Sequence, residues 1–238
     1  MKKQFFILPC CLLLFVINTA WGQTDSHQNQ VGLQAGIFIS EHADLNFSPL
    51  AYQNTGKDFG FHYRRQGERS SFALFANYGT GKLTTEASDE FTTDLIQGNL
   101  RLQYLQKLKG SSNEQWQFAL GGQYQFFINY FDWDNQESFG FLIYNSLDAV
   151  AQIDRKLNDK SHLSLSIGLP LVELLVRPSY NGLDEELIRN NYEGNIFKII
   201  TNGTFGSFNQ FFATQISLAY HYAFSSHLDF VATYHTRF

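Results

Sequence analysis

Apolar and polar positions alternate along most of this chain. Val31, Leu33, Ala35, Ile37 and Ile39 interleave with Gly32, Gln34, Gly36, Phe38 and Ser40, a period of two that predicts a β-strand. The same period sets Phe59, Phe61 and Tyr63 against Gly60, His62 and Arg64, and recurs in Phe72, Leu74, Ala76 and Tyr78. Ile96, Gly98, Leu100, Leu102 and Tyr104 oppose the polar set Gln97, Asn99, Arg101 and Gln103. Trp116 to Phe126, Phe139 to Ile153 and Leu163 to Leu171 continue the alternation, and Phe212 to Phe224 and Leu228 to Phe238 end it. These are nine patterned strands.

The connections sort by length. Gln66-Gly67-Glu68, Gly110 to Glu114 and Asn158-Asp159-Lys160 are short, whereas Glu41 to Lys57, Gly81 to Asp94 and Asn129 to Ser138 are long. Transmembrane barrels show this asymmetry between their two ends, and bacterial single-chain barrels carry an even number of strands. A tenth strand is therefore expected within Val172 to Gln210, with Tyr192 to Asn202 as its candidate, because a structureless link of that length is uncommon. The fold expected is all-β, an antiparallel up-and-down transmembrane barrel of ten strands, with eight as the alternative.

Composition supports strands over spanning helices. Aromatic and charged residues each make up 16% of the chain, yet mean hydropathy is -0.23, so the apolar residues are interleaved with polar ones. The exception is the start. Lys2 and Lys3 precede the apolar run Phe5 to Ile17, and Ala20-Trp21-Gly22 forms a small-x-small site, the layout of a cleaved secretory signal. Residues 1–22 are expected to leave as that signal, and 23–238 to form the barrel domain. Cys10 and Cys11 both fall in the leader, so the remainder holds no disulfide and no thiolate chemistry. Removing Lys2 and Lys3 takes the basic count from 17 to 15 against 22 acidic residues, a net -7, the wrong sign for nucleic acid.

The closing strand, with Phe238 last and Tyr234 and Phe230 in phase behind it, resembles the small outer-membrane β-barrels of Gram-negative bacteria. That resemblance implies residence in the bacterial outer membrane, cleavage after Gly22, and contact with outer-membrane lipid. It also implies delivery to the barrel-assembly machinery through the strand that ends in Phe238. A structural, ligand-binding or narrow-pore role is implied, with no cofactor. Tyr63, Tyr78, Tyr104, Tyr124, Tyr220, Tyr222 and Tyr234 fall on or near the outward phase, where interfacial girdles place such rings.

The inward phase collects His62, Arg64, Arg101, Asp148, Asp154, His162, His221, Asp229 and His235. Side chains that fill a small polar lumen account for such a set, and it equally supplies the binding candidates. An outer-membrane hydrolase acting on lipid or peptide is the alternative. Lipid A deacylases place Ser two residues after the active His, but Tyr222 and Ala223 follow His221, so no catalytic residue is assigned. No metal-ligand spacing is recognisable among His221, His227 and His235. A soluble secreted barrel or sandwich is the third reading, and it requires the apolar phase to point inward.

Overall fold

The computed structural model describes residues 11–24, 27–42, 51–87, 92–109, 115–132, 139–177, 203–206, 214–225 and 228–237. The strands are β1 (Cys11–Thr24), β2 (His27–His42), β3 (Tyr52–Gln66), β4 (Ser70–Thr84), β5 (Thr93–Lys107) and β6 (Trp116–Asp132). They continue with β7 (Phe139–Lys156), β8 (Ser161–Val176), the short β9 (Thr204–Gly206), β10 (Gln215–Ala223) and β11 (Leu228–Arg237). Each strand from β1 to β8 pairs antiparallel with the next, β8 pairs with β10, β10 with β11, and β11 with β1. The hydrogen-bonded neighbours thus form a closed circuit of ten strands among the described residues, an antiparallel up-and-down β-barrel. A closed ladder satisfies every wall strand on both sides and leaves no edge to pair with another chain.

Ten strands is the expected number, reached by a different route. The nine patterned strands of the sequence are β2 to β8, β10 and β11, and the tenth place, between β2 and β11, belongs to β1. The expected boundary at Gly22 therefore falls inside a wall strand. The eight-strand alternative is overturned by the circuit, and Tyr192 to Asn202 lies outside the described residues. β9 stands outside the circuit, pairing with Glu173–Leu175 where β8 runs past the start of β10.

The links between β3 and β4, β5 and β6, β7 and β8, and β10 and β11 share one end of the barrel. Backbone bonds between neighbouring links show it: Lys107 N donates to Arg69 O, Lys156 N to Gln115 O, and Ala223 N to Lys160 O. The strand ends at His42 and Tyr52, Thr84 and Thr93, Asp132 and Phe139, and Val176 and Gln215 lie at the other end. The turn through Ser225 sits with the short turns, and β11 runs toward the long-link end. The 108–115 link, expected among the short ones, is as long as 85–92.

Strands also extend into segments the sequence marked as loop. Tyr52 to Lys57, Gly81 to Thr84 and Asn129 to Asp132 all belong to the wall. Along β3 the burial still alternates there, with Tyr52, Asn54 and Gly56 in and Gln53, Thr55 and Lys57 out. The outer face turns polar in this belt while Tyr52, Leu83 and Phe131 point inward, so the ladder continues while the apolar-outside pattern stops. β8 holds an irregularity of phase: Leu147 pairs with Val172 and Asp148 with Pro170, leaving Leu171 as an extra residue. A proline lacks the donor a ladder needs and is tolerated at such a bulge. Beyond it the phase inverts, and Glu173 rather than Val172 points inward.

The wall is apolar outside and polar inside. Leu33 is 67% exposed while its neighbour Gln34 is 6% exposed. Phe59, Phe61, Tyr78, Ile96, Leu100, Leu102, Tyr104, Leu120, Leu147, Ile167, Leu169 and Leu218 are exposed on the outer face. Inside, Asn54, Asp58, His62, Gln97, Gln103, Gln123, Gln125, Asn129, Ser146 and Asp148 are buried. A soluble barrel would show the reverse, so the third reading of the sequence fails on phase. The outer apolar run of β5, Ile96 to Tyr104, covers eight steps of roughly 3.3 Å, about 26 Å along a tilted strand. That is comparable with the roughly 25 Å apolar band of membrane barrels.

Candidate functional site

Side chains fill the lumen in distinct groups. Nearest the long links, Phe38, Tyr52, Leu83, Leu95 and Phe131 form an apolar cluster, all on the inward phase and all buried. Glycines on the facing strands make room for it. A Cβ at Gly56, the register partner of Phe38, would collide with the Phe38 ring, and one at Gly140 would collide with the ring of its partner Phe131. Phe38 was assigned to the polar phase of β2 by its position, and an aromatic there is the sequence trace of this cap.

Below the cap lies an amide and carboxylate network that crosses the lumen. Gln123 Nε2 on β6 donates to Asp148 Oδ2 on β7 at 3.0 Å and to Gln215 Oε1 on β10 at 3.2 Å. Gln215 Nε2 donates in turn to Gln125 Oε1, and Gln125 Nε2 to Asn99 Oδ1 at 3.1 Å on β5. Gln103 Nε2 approaches Gln123 Oε1 at 3.5 Å. Strands on opposite sides of the circuit are thus tied through their side chains. An unpaired buried amide costs about 1–3 kcal/mol, so the members hold one another in place. The sequence showed glutamines on the polar faces of β5 and β6 but gave no sign that they meet Gln215.

Beside this network lies a basic chamber, with Arg101 between Asn99 and Gln103 on the inward face of β5 and paired with Gln125. His62, Phe75 and Arg101 are register partners in one row across β3, β4 and β5. The Arg101 guanidinium lies 4.0 Å over the Phe75 ring, and His62 stacks on the same ring at 5.9 Å. Arg64 follows His62 by two positions on the same face. From the opposite wall, His221 of β10 stacks on its register partner His162 of β8, with centroids 4.1 Å apart and planes 10° from parallel. His235 Nδ1 contacts Ser217 Oγ at 2.5 Å. A cavity of about 120 Å³ opens among these groups.

All nine inward candidates fall on the lumen side of their strands. His62, Arg64, Arg101, His221 and His235 line the cavity. His162 backs His221, and Asp229 lies within electrostatic reach of His162. Asp148 belongs to the amide network. Asp154 is held by Gln152 Nε2 at 2.9 and 3.0 Å and by Ser164 Oγ at 2.5 Å. Gln34, Asn99, Gln103 and Phe75 complete the site and were not singled out by the sequence, because none of them is a titratable group.

The outward tyrosines fall in two groups. Tyr78 and Tyr234 lie toward the long-link end, and Tyr63, Tyr104, Tyr220 and Tyr222 toward the short turns, with Tyr124 between them on the same face. Tyr63 Oη donates to Asn29 Oδ1 and Tyr124 Oη to Asn145 Oδ1, each at 2.9 Å, so the hydroxyls find partners on the wall itself. At the short-turn rim Arg155 sits 5.0 Å from the Trp116 ring centroid. The exposed turn beside it carries the Lys156 Nζ–Asp159 Oδ1 ion pair at 2.7 Å, which holds the Asp159 carboxyl below its ordinary range.

The Ser217–His235 contact resembles half of a nucleophile pair. It lies within the lumen, away from the outer rim where a lipid or peptide substrate would be reached, and Ser217 and His235 are simply cross-strand partners. Among the described residues, no three His, Cys, Asp or Glu side chains gather as a metal-ligand set.

No family model matches this chain, and no curated protein does. Solved structures that match include the translocator domain of the autotransporter NalP from Neisseria meningitidis. The identity is 9% and the TM-score 0.23, over 100% of this chain and 90% of that one. Agreement that loose does not bear on fold or function, which rest on the wall and lumen described above.

Proposed function

We propose that this chain is an exported outer-membrane β-barrel of a Gram-negative bacterium, with a closed lumen that serves a structural or ligand-binding role and not bulk passage. The observation that carries this reading is the inversion of the wall, with leucines, isoleucines and aromatics outside and glutamines, asparagines, arginines and histidines inside. Hydrocarbon is the solvent in which such an outer face is stable, and a closed ladder is one of only two backbone arrangements that can cross it. Tyrosines toward both ends of the apolar band support the same reading, since amphipathic rings favour the headgroup level.

Export by a signal cleaved after Gly22 belongs to this proposal, as does recognition of the strand ending in Phe238 by the barrel-assembly machinery. Cleavage removes most of β1 from its place between β2 and β11. The sequence candidate for a further wall strand, Tyr192 to Asn202 within Val172 to Gln210, lies outside the described residues.

Fractionation of cells expressing the full chain tests the location. The protein is expected in the outer-membrane fraction, resistant to alkaline wash, and faster on gels before boiling than after. Intact mass of that material is expected to match 23–238. Recovery as a soluble protein that migrates identically with and without boiling contradicts the proposal.

A further inference from the structure

We infer that the basic chamber is a binding site for one compact tetrahedral oxyanion, of the phosphate or sulfate class. The inference rests on the barrel reading above, because the chamber is the interior of that wall. The cavity is lined by two arginines, three histidines and amide and hydroxyl side chains, with no Asp or Glu among the lining residues.

The groups that lack partners there are nitrogens. Arg101 Nε, Gln34 Nε2 and His62 Nδ1 are buried without a hydrogen bond. Neither Arg64 nor Arg101 forms an ion pair or a hydrogen bond with any described residue, although both are half-buried on the cavity wall and near enough to repel each other. Asp154 and Asp148 reach Arg64 and Arg101 through charge alone, since their hydrogen bonds go to Gln152 and Ser164 and to Gln123 and Gln215. A buried guanidinium without an acceptor is costly, and a bound oxyanion supplies both the charge and the acceptors.

The geometry suits such an ion. Phase and register bring Gln34, His62, Arg64 and Arg101 to one cavity from three of four consecutive strands, and the Phe75 ring of the fourth holds the Arg101 and His62 planes in position. Guanidinium forks match the edges of a tetrahedral oxyanion. A space of about 120 Å³ admits several waters or one ion of that size.

The test uses the full chain, purified in detergent and titrated calorimetrically with inorganic phosphate and, separately, with glycerol phosphate as a stand-in for a lipid headgroup. One site per chain is expected. Arg64→Gln and Arg101→Gln are each expected to weaken it at least ten-fold, while Arg65→Gln, on the exposed outer phase, leaves it unchanged. Gel heat-modifiability verifies that each variant is a folded barrel. Binding of inorganic phosphate alone assigns the site to the free ion, and binding of both probes assigns it to ester phosphates as well; either supports the inference. A heat-modifiable wild-type barrel that binds neither probe overturns the site while leaving the barrel reading intact. Binding that persists unchanged in both arginine variants overturns it too.

Discussion

Leu100→Arg is expected to destabilise the inserted barrel by about 2–4 kcal/mol, the cost of a cation at the lipid midplane. Leu100 lies midway along the outer apolar run of β5, between Ile96 and Tyr104, and is exposed. Its register partners Ala76 and Phe126 belong to the same face, so no polar neighbour can shelter a guanidinium. Urea midpoints of the chain refolded into lipid vesicles measure the effect. Thr55→Arg, in the polar belt of β3 toward the long links, is expected to cost only about 0–1 kcal/mol, as substitutions near an interface do. Equal costs at the two positions would mean that the outer face does not meet hydrocarbon.

The wild-type barrel reconstituted in planar bilayers is expected to pass no stepwise ionic current. Two sets of side chains close the lumen. The cap of Phe38, Tyr52, Leu83, Leu95 and Phe131 is a dry constriction of five buried side chains. Beneath it, Gln123, Gln125, Gln215 and Asp148 are hydrogen-bonded across the interior. Truncating the cap alone, by Phe38→Ala with Leu95→Ala, is therefore expected to leave the baseline current. Adding Gln123→Ala and Gln215→Ala removes the second layer and is expected to give discrete conducting steps. Core truncations of this kind cost about 2–5 kcal/mol each, so heat-modifiability must show that the quadruple variant still forms a barrel. Steady conductance by the wild type would contradict the closed lumen.

The strand phases were legible because each wall position inside the apolar band meets one of two solvents. β5 and β6 show it best: leucines, isoleucine and aromatics on one parity, glutamines and asparagine on the other. Tyr52 to Lys57 was not legible, because outside the apolar band the outward positions Gln53, Thr55 and Lys57 are polar and the apolar-out, polar-in alternation is lost. The inversion past Leu171 was missed for a related reason: period two carries through a bulge with the wrong parity, and Pro170 was the local sign of it. The place of Cys11–Thr24 in the wall was not foreseen, since an apolar run reads the same in a leader and in a strand. Of the site, the charged and imidazole groups were legible as the inward parity. Their convergence was not, because whether His221 meets His162 and whether Gln215 reaches Gln123 depends on which strand closes the circuit. That follows from the β8–β10 pairing, a long-range choice that no local pattern encodes.

Which parity faces lipid decides whether the wall is a membrane barrel, and single-cysteine labelling along β5 measures that directly. In a chain with Cys10 and Cys11 changed to Ser, cysteines are introduced one at a time from Asn99 to Tyr104, and the barrel in vesicles is treated with a lipid-soluble maleimide. Reaction at positions 100, 102 and 104 and protection at 99, 101 and 103 is the predicted result. Reaction at 99, 101 and 103 with protection of the even positions, or labelling with no period of two, would contradict it.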